Sequence, residues 1–147
     1  MTAKMTELTG PNQCYCLASR RSARHLTRLY ERHLAPSGMT SSQFSILSFL
    51  YHKPEMTVAE LANAMEMERT TLVRTIKPMK DAGWIEDGSE KIGRAVVLGI
   101  SRRGLEKLDQ GRPMWMAAQE AFERQVSKEA AVQLRSLAVT SFSHTED

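Results

Sequence analysis

Thr57-Val58-Ala59-Glu60-Leu61-Ala62-Asn63-Ala64-Met65-Glu66-Met67-Glu68-Arg69-Thr70-Thr71-Leu72-Val73-Arg74-Thr75-Ile76-Lys77-Pro78-Met79-Lys80-Asp81-Ala82-Gly83 carries two apolar stripes at helical spacing with a short break between them. Thr57 and Glu60 stand at capping-box spacing, so the hydroxyl can accept a first-turn amide while the carboxylate returns to the cap residue. Val58, Leu61, Ala62 and Met65 then mark a helix of two to three turns. Glu66-Met67 is the break. A second helix is expected from Glu68 or Arg69, with Leu72, Val73, Ile76 and Met79 apolar, ending at Gly83, the residue type favoured where a helix exits left-handed. Pro78 removes one helical hydrogen bond and predicts a bend or a tightened last turn. Packing Leu72, Val73, Ile76 and Met79 against Val58, Leu61 and Met65 turns Arg69, Thr70, Thr71, Arg74, Thr75 and Lys77 outward. A merely solvated face would mix Glu with Lys, but Glu68 is the only acid between Glu68 and Lys80.

Beyond Gly83 the period changes. Trp84-Ile85-Glu86 and Arg94–Ile100 read as strands, and the polar, glycine-containing stretch Asp87–Gly93 between them reads as a hairpin loop. Short helix, tight break, second helix and hairpin is the order of a winged helix-turn-helix. A helix about 10–12 Å across fits the major groove of B-DNA while the preceding helix braces it over the backbone. On that reading Arg69, Thr70, Thr71 and Arg74 read or approach bases, and Lys77 and Thr57 meet the backbone. Arg94 is the candidate for minor-groove insertion, where narrow A·T-rich DNA attracts guanidinium.

The flanks are helical. Residues 1–12 read as a flexible arm, and a helix is expected over Gln13–Ala35, closed by Pro36-Ser37-Gly38. Another follows from Ser41 or Ser42 to about His52, apolar on so much of its circumference that it reads as buried on most sides. Ser101 can cap a long helix carrying Leu105, Leu108, Trp115, Ala118, Phe122 and Val126, with kinks predicted at Gly111 and Pro113. Ser127 can cap a last helix with Val132, Leu134 and Leu137. The fold class is therefore mainly α, a winged helix-turn-helix with a two-stranded β wing and N- and C-terminal dimerisation helices. Residues 13–147 are expected to form a single domain, with 57–101 the winged part and 13–52 and 102–140 the flanking helices. Surplus apolar stripes on the first and last helices predict a homodimer.

The chain has 147 residues, one domain by size, and its 41% hydrophobic and 25% charged content argues against a disordered chain. No apolar run is long enough to span a bilayer, and the N-terminus lacks the basic-then-apolar order of a signal peptide, so a cytoplasmic protein is expected. A net charge of +3 decides little, but its distribution is informative: Arg20, Arg21, Arg24, Arg28 and Arg32 crowd the first helix against Glu31 alone. No phosphate loop, nucleophile elbow or His-Glu-x-x-His is present, so no enzyme and no cofactor are expected. Cys14 and Cys16 are too few for a disulfide scaffold and lack zinc-ligand spacing; no metal is expected, and His25 and His33 read as ordinary hydrogen-bonding groups. About 200° apart around a helix, the two cysteines are not expected to bond each other.

Thr57–Ala64, Met67–Arg74, Lys77-Pro78-Met79, Asp81–Ile85, Leu29-Tyr30-Glu31 and Ser101-Arg102-Arg103-Gly104 together resemble MarR-type transcriptional regulators, over most of Asn12–Val139. The resemblance implies a homodimer holding two winged domains over a pseudo-palindromic promoter site, usually a repressor released by a small aromatic or phenolic ligand, a metal or an oxidant. Glu68 stands where the family usually has an Asp cap, and Ile92-Gly93-Arg94 where it has Asp-x-Arg. The hydroperoxide-sensing branch implies a second signal, in which Cys16 is the reactive thiol and Tyr30 the phenol that bonds it, although the branch's other tyrosine falls on Arg20. A thiolate near a helix N-terminus and arginines oxidises readily to sulfenate. The resemblance places an effector pocket where the first, second and long C-terminal helices meet the winged part. Tyr51 and Trp115 are candidates for its lining, and Arg21 or Arg24 for pairing a carboxylate. The expected partners are double-stranded DNA, a second copy and a small effector, with no membrane. A reading from another class keeps the winged fold as a protein-interaction module.

Overall fold

Caps and breakers set the element boundaries in the computed structural model, which describes residues 10–88, 93 and 95–140. Pro11 opens a 3-10 turn, Pro11–Gln13, and helix α1 follows as Tyr15–Leu34. Thr40 starts α2, Ser41–His52, through a full capping box: Gln43 N donates to Thr40 Oγ1 at 3.1 Å and Thr40 N to Gln43 Oε1 at 2.9 Å. Strand β1 is Met56–Thr57, α3 is Val58–Met65, and α4 is Arg69–Asp81. Strands β2 (Ile85–Asp87) and β3 (Val97–Ile100) precede α5 (Arg102–Val126) and α6 (Lys128–Thr140). Ser101 and Ser127 cap α5 and α6 as expected, taking Gly104 N at 3.0 Å and Ala130 N at 3.2 Å.

The sheet has three antiparallel strands in the order β1-β3-β2, one more than the two-stranded wing expected. Met56 pairs with Leu98 and Thr57 with Val97, while Ile85, Glu86 and Asp87 pair with Ile100, Gly99 and Leu98. A two-residue strand shows no alternation in sequence; its existence depends on the partner β3 supplies. Neither Gly111 nor Pro113 breaks α5, nor Pro78 α4. Gly111 serves packing instead: a Cβ there would lie 2.6 Å from Met39 Cε and 3.0 Å from Phe44 Cδ2.

Two compact units result. One spans His33–Met116, and its core draws Ile46, Leu47 and Leu50 from α2, Leu61 from α3, Leu72, Ile76 and Met79 from α4, Leu98 from β3 and Leu108 from α5. The other unites the chain up to Arg32 with the chain from Ala117. Within it Leu29 and Ala118 are buried, and His25 Nε2 lies 2.7 Å from Gln125 Oε1. Among the described residues no buried side-chain nitrogen or oxygen lacks a partner, and no helix is long and apolar enough to cross a membrane.

Candidate nucleic-acid interface

The helix pair is built by its caps. Thr57 Oγ1 accepts from Glu60 N at 3.1 Å, and Glu60 Oε2 accepts from Thr57 N at 3.2 Å, which is the expected capping box. With 8% exposure, Thr57 acts here by starting α3. At the other end Glu66 turns left-handed (φ 52°) and Met67 N closes onto Ala62 O at 2.9 Å, so the chain reverses in three residues and enters α4 at Glu68. Glu68 places no side chain on the first-turn amides of α4. Those amides, with the positive end of the helix dipole, therefore stay open to an anion.

Leu72, Ile76 and Met79 hold α4 against the core, all at most 3% exposed. Val73 was expected beside them and is not: it is 51% exposed. Positions i, i+4 and i+7 define the buried stripe, and a residue at i+1 is rotated about 100° out of it. Arg69, Thr70, Thr71, Val73, Arg74 and Lys77 are thus all exposed. Thr75, expected outward, is half-buried and returns its hydroxyl to Thr71 O at 2.8 Å. Lys77 Nζ lies 3.1 Å from Asp81 Oδ2, a pair so exposed that it holds Lys77 only weakly. Neither Arg69 nor Arg74 is in an ion pair among the described residues.

The exit of α4 is anchored to the wing. Gly83 takes φ +77°, Gly83 N bonds Lys80 O and Trp84 N bonds Met79 O, both at 2.9 Å, which closes the helix. Trp84 O then accepts from Ser101 N at 3.0 Å, and Ser101 Oγ donates to Gly83 O, so the start of α5 clamps the first residues after α4. Lys80 Nζ reaches Asp87 Oδ1 on β2 at 2.7 Å, and Lys107 Nζ sits 5.1 Å from the Trp84 ring centre. At the far end of the strands Gly88 N donates to Val97 O at 2.6 Å. Arg94, the wing candidate, lies outside the described residues.

The effector and redox candidates are divided. Cys14 and Cys16 are free and exposed. Cys14 is not helical (φ −82°, ψ 115°): it precedes α1, its carbonyl accepts from Ala18 N at 2.9 Å and its Sγ from Leu17 N at 3.3 Å. The helical rotation used above to hold the two thiols apart therefore does not apply. Tyr30 bonds Gln119 through its hydroxyl, and burial, reinforced by Glu123 and opposed by Arg135, raises its pKa above 10.0. Cys16 lies fourteen residues earlier on the same helix, about 21 Å along its axis, so the two do not meet within one chain. Arg21 and Arg24 line an open groove of about 720 Å³ with Phe122 and Leu134, and Arg21 also bonds Asn12 Oδ1 at 3.2 Å. Trp115 stacks on Phe44 (centroids 5.9 Å apart) beside a cavity of about 260 Å³ lined also by Ser45, Ser48, Phe49 and His52. Tyr51 stands outside that lining, against His52 and 5.7 Å from Arg112. Among the described residues no group of three or more His, Cys, Asp or Glu side chains is placed to hold a metal.

The MarR family profile matches residues 37–95, the stretch that contains α2, the helix pair and β2. Over 85% of its length the chain superposes on the transcriptional regulator MosR of Mycobacterium tuberculosis, solved in complex with DNA, covering 91% of that chain at 32% identity and a TM-score of 0.74. This chain belongs to the MarR family. The family consists of transcriptional regulators, not enzymes. An HTH-type transcriptional regulator of Bacillus subtilis, YwoH, is 35% identical over 79 residues, which span 52% of this chain and 58% of that protein. Apo MarR of Escherichia coli shares the fold at 17% identity, with a TM-score of 0.71 over 88% of this chain and 97% of that one.

In this MarR-family chain the reading from sequence missed Val73 on the outer face, β1, and the capping box at Thr40. The last was visible as Thr-x-x-Gln at residues 40–43. Val73 carried a weaker signal, its offset of one position from the i, i+4, i+7 stripe.

Proposed function

We propose that this chain is a homodimeric, sequence-specific DNA-binding repressor that lays α4 in the major groove of a pseudo-palindromic promoter site. One observation carries the reading: Arg69, Thr70, Thr71, Arg74 and Lys77 are all exposed on a helix whose opposite stripe is locked in the core. Guanidinium and hydroxyl groups there suit base edges, and the uncapped first-turn amides suit a phosphate. The DNA-bound state of MosR, which shares 32% identity, supports the same partner. Arg94 is assigned to the minor groove and Thr57 to positioning α3. Exposed Tyr15, Leu137 and Val139 on the terminal helices support a dimer, since apolar surface of this kind marks association. The cavity under Trp115, with three aromatic rings, two hydroxyls and an imidazole, suits a small aromatic or phenolic effector, and the site of action is the cytoplasm.

Thiol-based release is a second reading, favoured by the exposure of both cysteines at the start of α1. A Cys16→Ser protein that still leaves DNA on peroxide treatment rules it out for that residue. Arg74→Ala tests the main reading. Fluorescence anisotropy at fixed salt, on a duplex the protein selects from a randomised pool, should show binding weakened by ~1–3 kcal/mol. Unchanged affinity overturns the assignment of Arg74 to the bases, and a protein that selects no duplex over a shuffled one returns the winged unit to a protein-interaction role.

A further inference from the structure

We propose that Val73 reads the 5-methyl group of a thymine in the major groove, an inference that rests on the DNA-binding reading above. Val73 is 51% exposed in the middle of α4, away from the core stripe of Leu72, Ile76 and Met79. Helical spacing puts it beside Arg69 and Thr70 on one side and Lys77 on the other, at i−4, i−3 and i+4. Those three neighbours are exposed and polar or cationic, so Val73 is an apolar island within the face assigned to DNA.

Neither packing nor local preference accounts for a valine there. A half-exposed position in the helix interior gains little from burial, and β-branched side chains are poorer helix formers than Ala, Leu, Lys or Glu. DNA supplies the missing partner. Thymine is the one base of unmodified DNA that presents a methyl group on the major-groove floor, and that methyl is read by apolar contact. Phosphate contacts from Lys77 and the first-turn amides hold the helix but carry little sequence information, and Arg69 and Arg74 reach bases only through polar edges. A branched apolar side chain among them adds discrimination, because cytosine offers no methyl at that position and a polar edge would leave Val73 against unsatisfied hydrogen-bonding groups.

The test replaces thymine by deoxyuridine, one position at a time, in a duplex the protein selects from a randomised pool. Deoxyuridine keeps every hydrogen-bonding group and removes only the methyl. The unsubstituted protein should lose about fourfold in affinity at one thymine of the half-site, the magnitude of one buried methyl. Val73→Ala should bind the thymine and uracil duplexes alike at that position, with a melting midpoint no lower than the parent's. Two outcomes overturn the proposal while leaving DNA recognition intact: selected duplexes bound without sensitivity to any methyl, or discrimination that survives in Val73→Ala. A protein that prefers no duplex over a shuffled one overturns the DNA-binding reading itself, and this inference with it.

Discussion

Gly104→Ala should destabilise the winged unit by about 2 kcal/mol, although alanine is the better helix former. Gly104 stands in the first turn of α5, where its amide donates to Ser101 Oγ at 3.0 Å. A Cβ there would lie 2.7 Å from Ile100 Cγ1 and press closer still on Trp84 O, a backbone atom that cannot swing aside. The gain from helix propensity is at most about 1 kcal/mol. Overpacking costs about 1–3 kcal/mol, and pushing Trp84 O outward also strains the 3.0 Å bond it accepts from Ser101 N, worth about 1 kcal/mol. The balance is a net loss of about 2 kcal/mol, or roughly 4–8 °C for a chain of this size. Gly83→Ala provides the scale: its Cβ would meet Arg103 at an ordinary 3.5 Å, so only the positive φ of +77° is penalised, at about 1 kcal/mol. Thermal melts followed by far-UV circular dichroism compare the two. An alanine at 104 that melts at or above the parent temperature refutes the packing argument.

Thr57→Ala removes the hydroxyl of the α3 capping box and should lower the urea-unfolding free energy by about 1 kcal/mol; no change would mean that Glu60 alone sustains the cap. Tyr30 sets a pH dependence. Its folded pKa lies above the unfolded 10.0, so the native state holds the phenol proton more tightly. That stability is fully present below pH 10 and is lost as pH rises through the folded pKa. Urea midpoints should therefore fall more steeply above pH 10 in the parent than in Tyr30→Phe, and parallel profiles would contradict the burial of that phenol.

Features written in local chemistry were legible. The Thr57–Glu60 box, the Ser101 and Ser127 caps and the Gly83 exit each depend on residues within a few positions of one another, and each forms. Non-local features were not. Strand β1 exists because Leu98 and Val97 stand opposite Met56 and Thr57, some forty residues away. Val73 was misplaced because an apolar residue next to Leu72 satisfies a loose helical pattern, and only the rotation of α4 on the core decides which of two neighbours faces inward. Cys14 was misplaced because Pro11 starts a 3-10 turn that delays α1 and leaves the thiol at its cap. The outward placement of Arg69, Thr70, Thr71, Arg74 and Lys77 did not depend on these errors, because all five lie off the stripe of Leu72, Ile76 and Met79 however Val73 is assigned. Arg21 and Arg24 line a groove within one unit and Trp115 a cavity within the other.

Amide hydrogen exchange with and without a selected duplex tests the central claim without altering the protein. The first-turn amides of α4, at Arg69, Thr70 and Thr71, receive no side-chain cap from Glu68 and should exchange quickly in the free protein. Seating α4 in the groove predicts that peptides covering Glu68–Thr75 slow markedly on adding the duplex and not on adding a shuffled one at the same salt. Protection that falls elsewhere, with exchange in Glu68–Thr75 unchanged, would contradict the account.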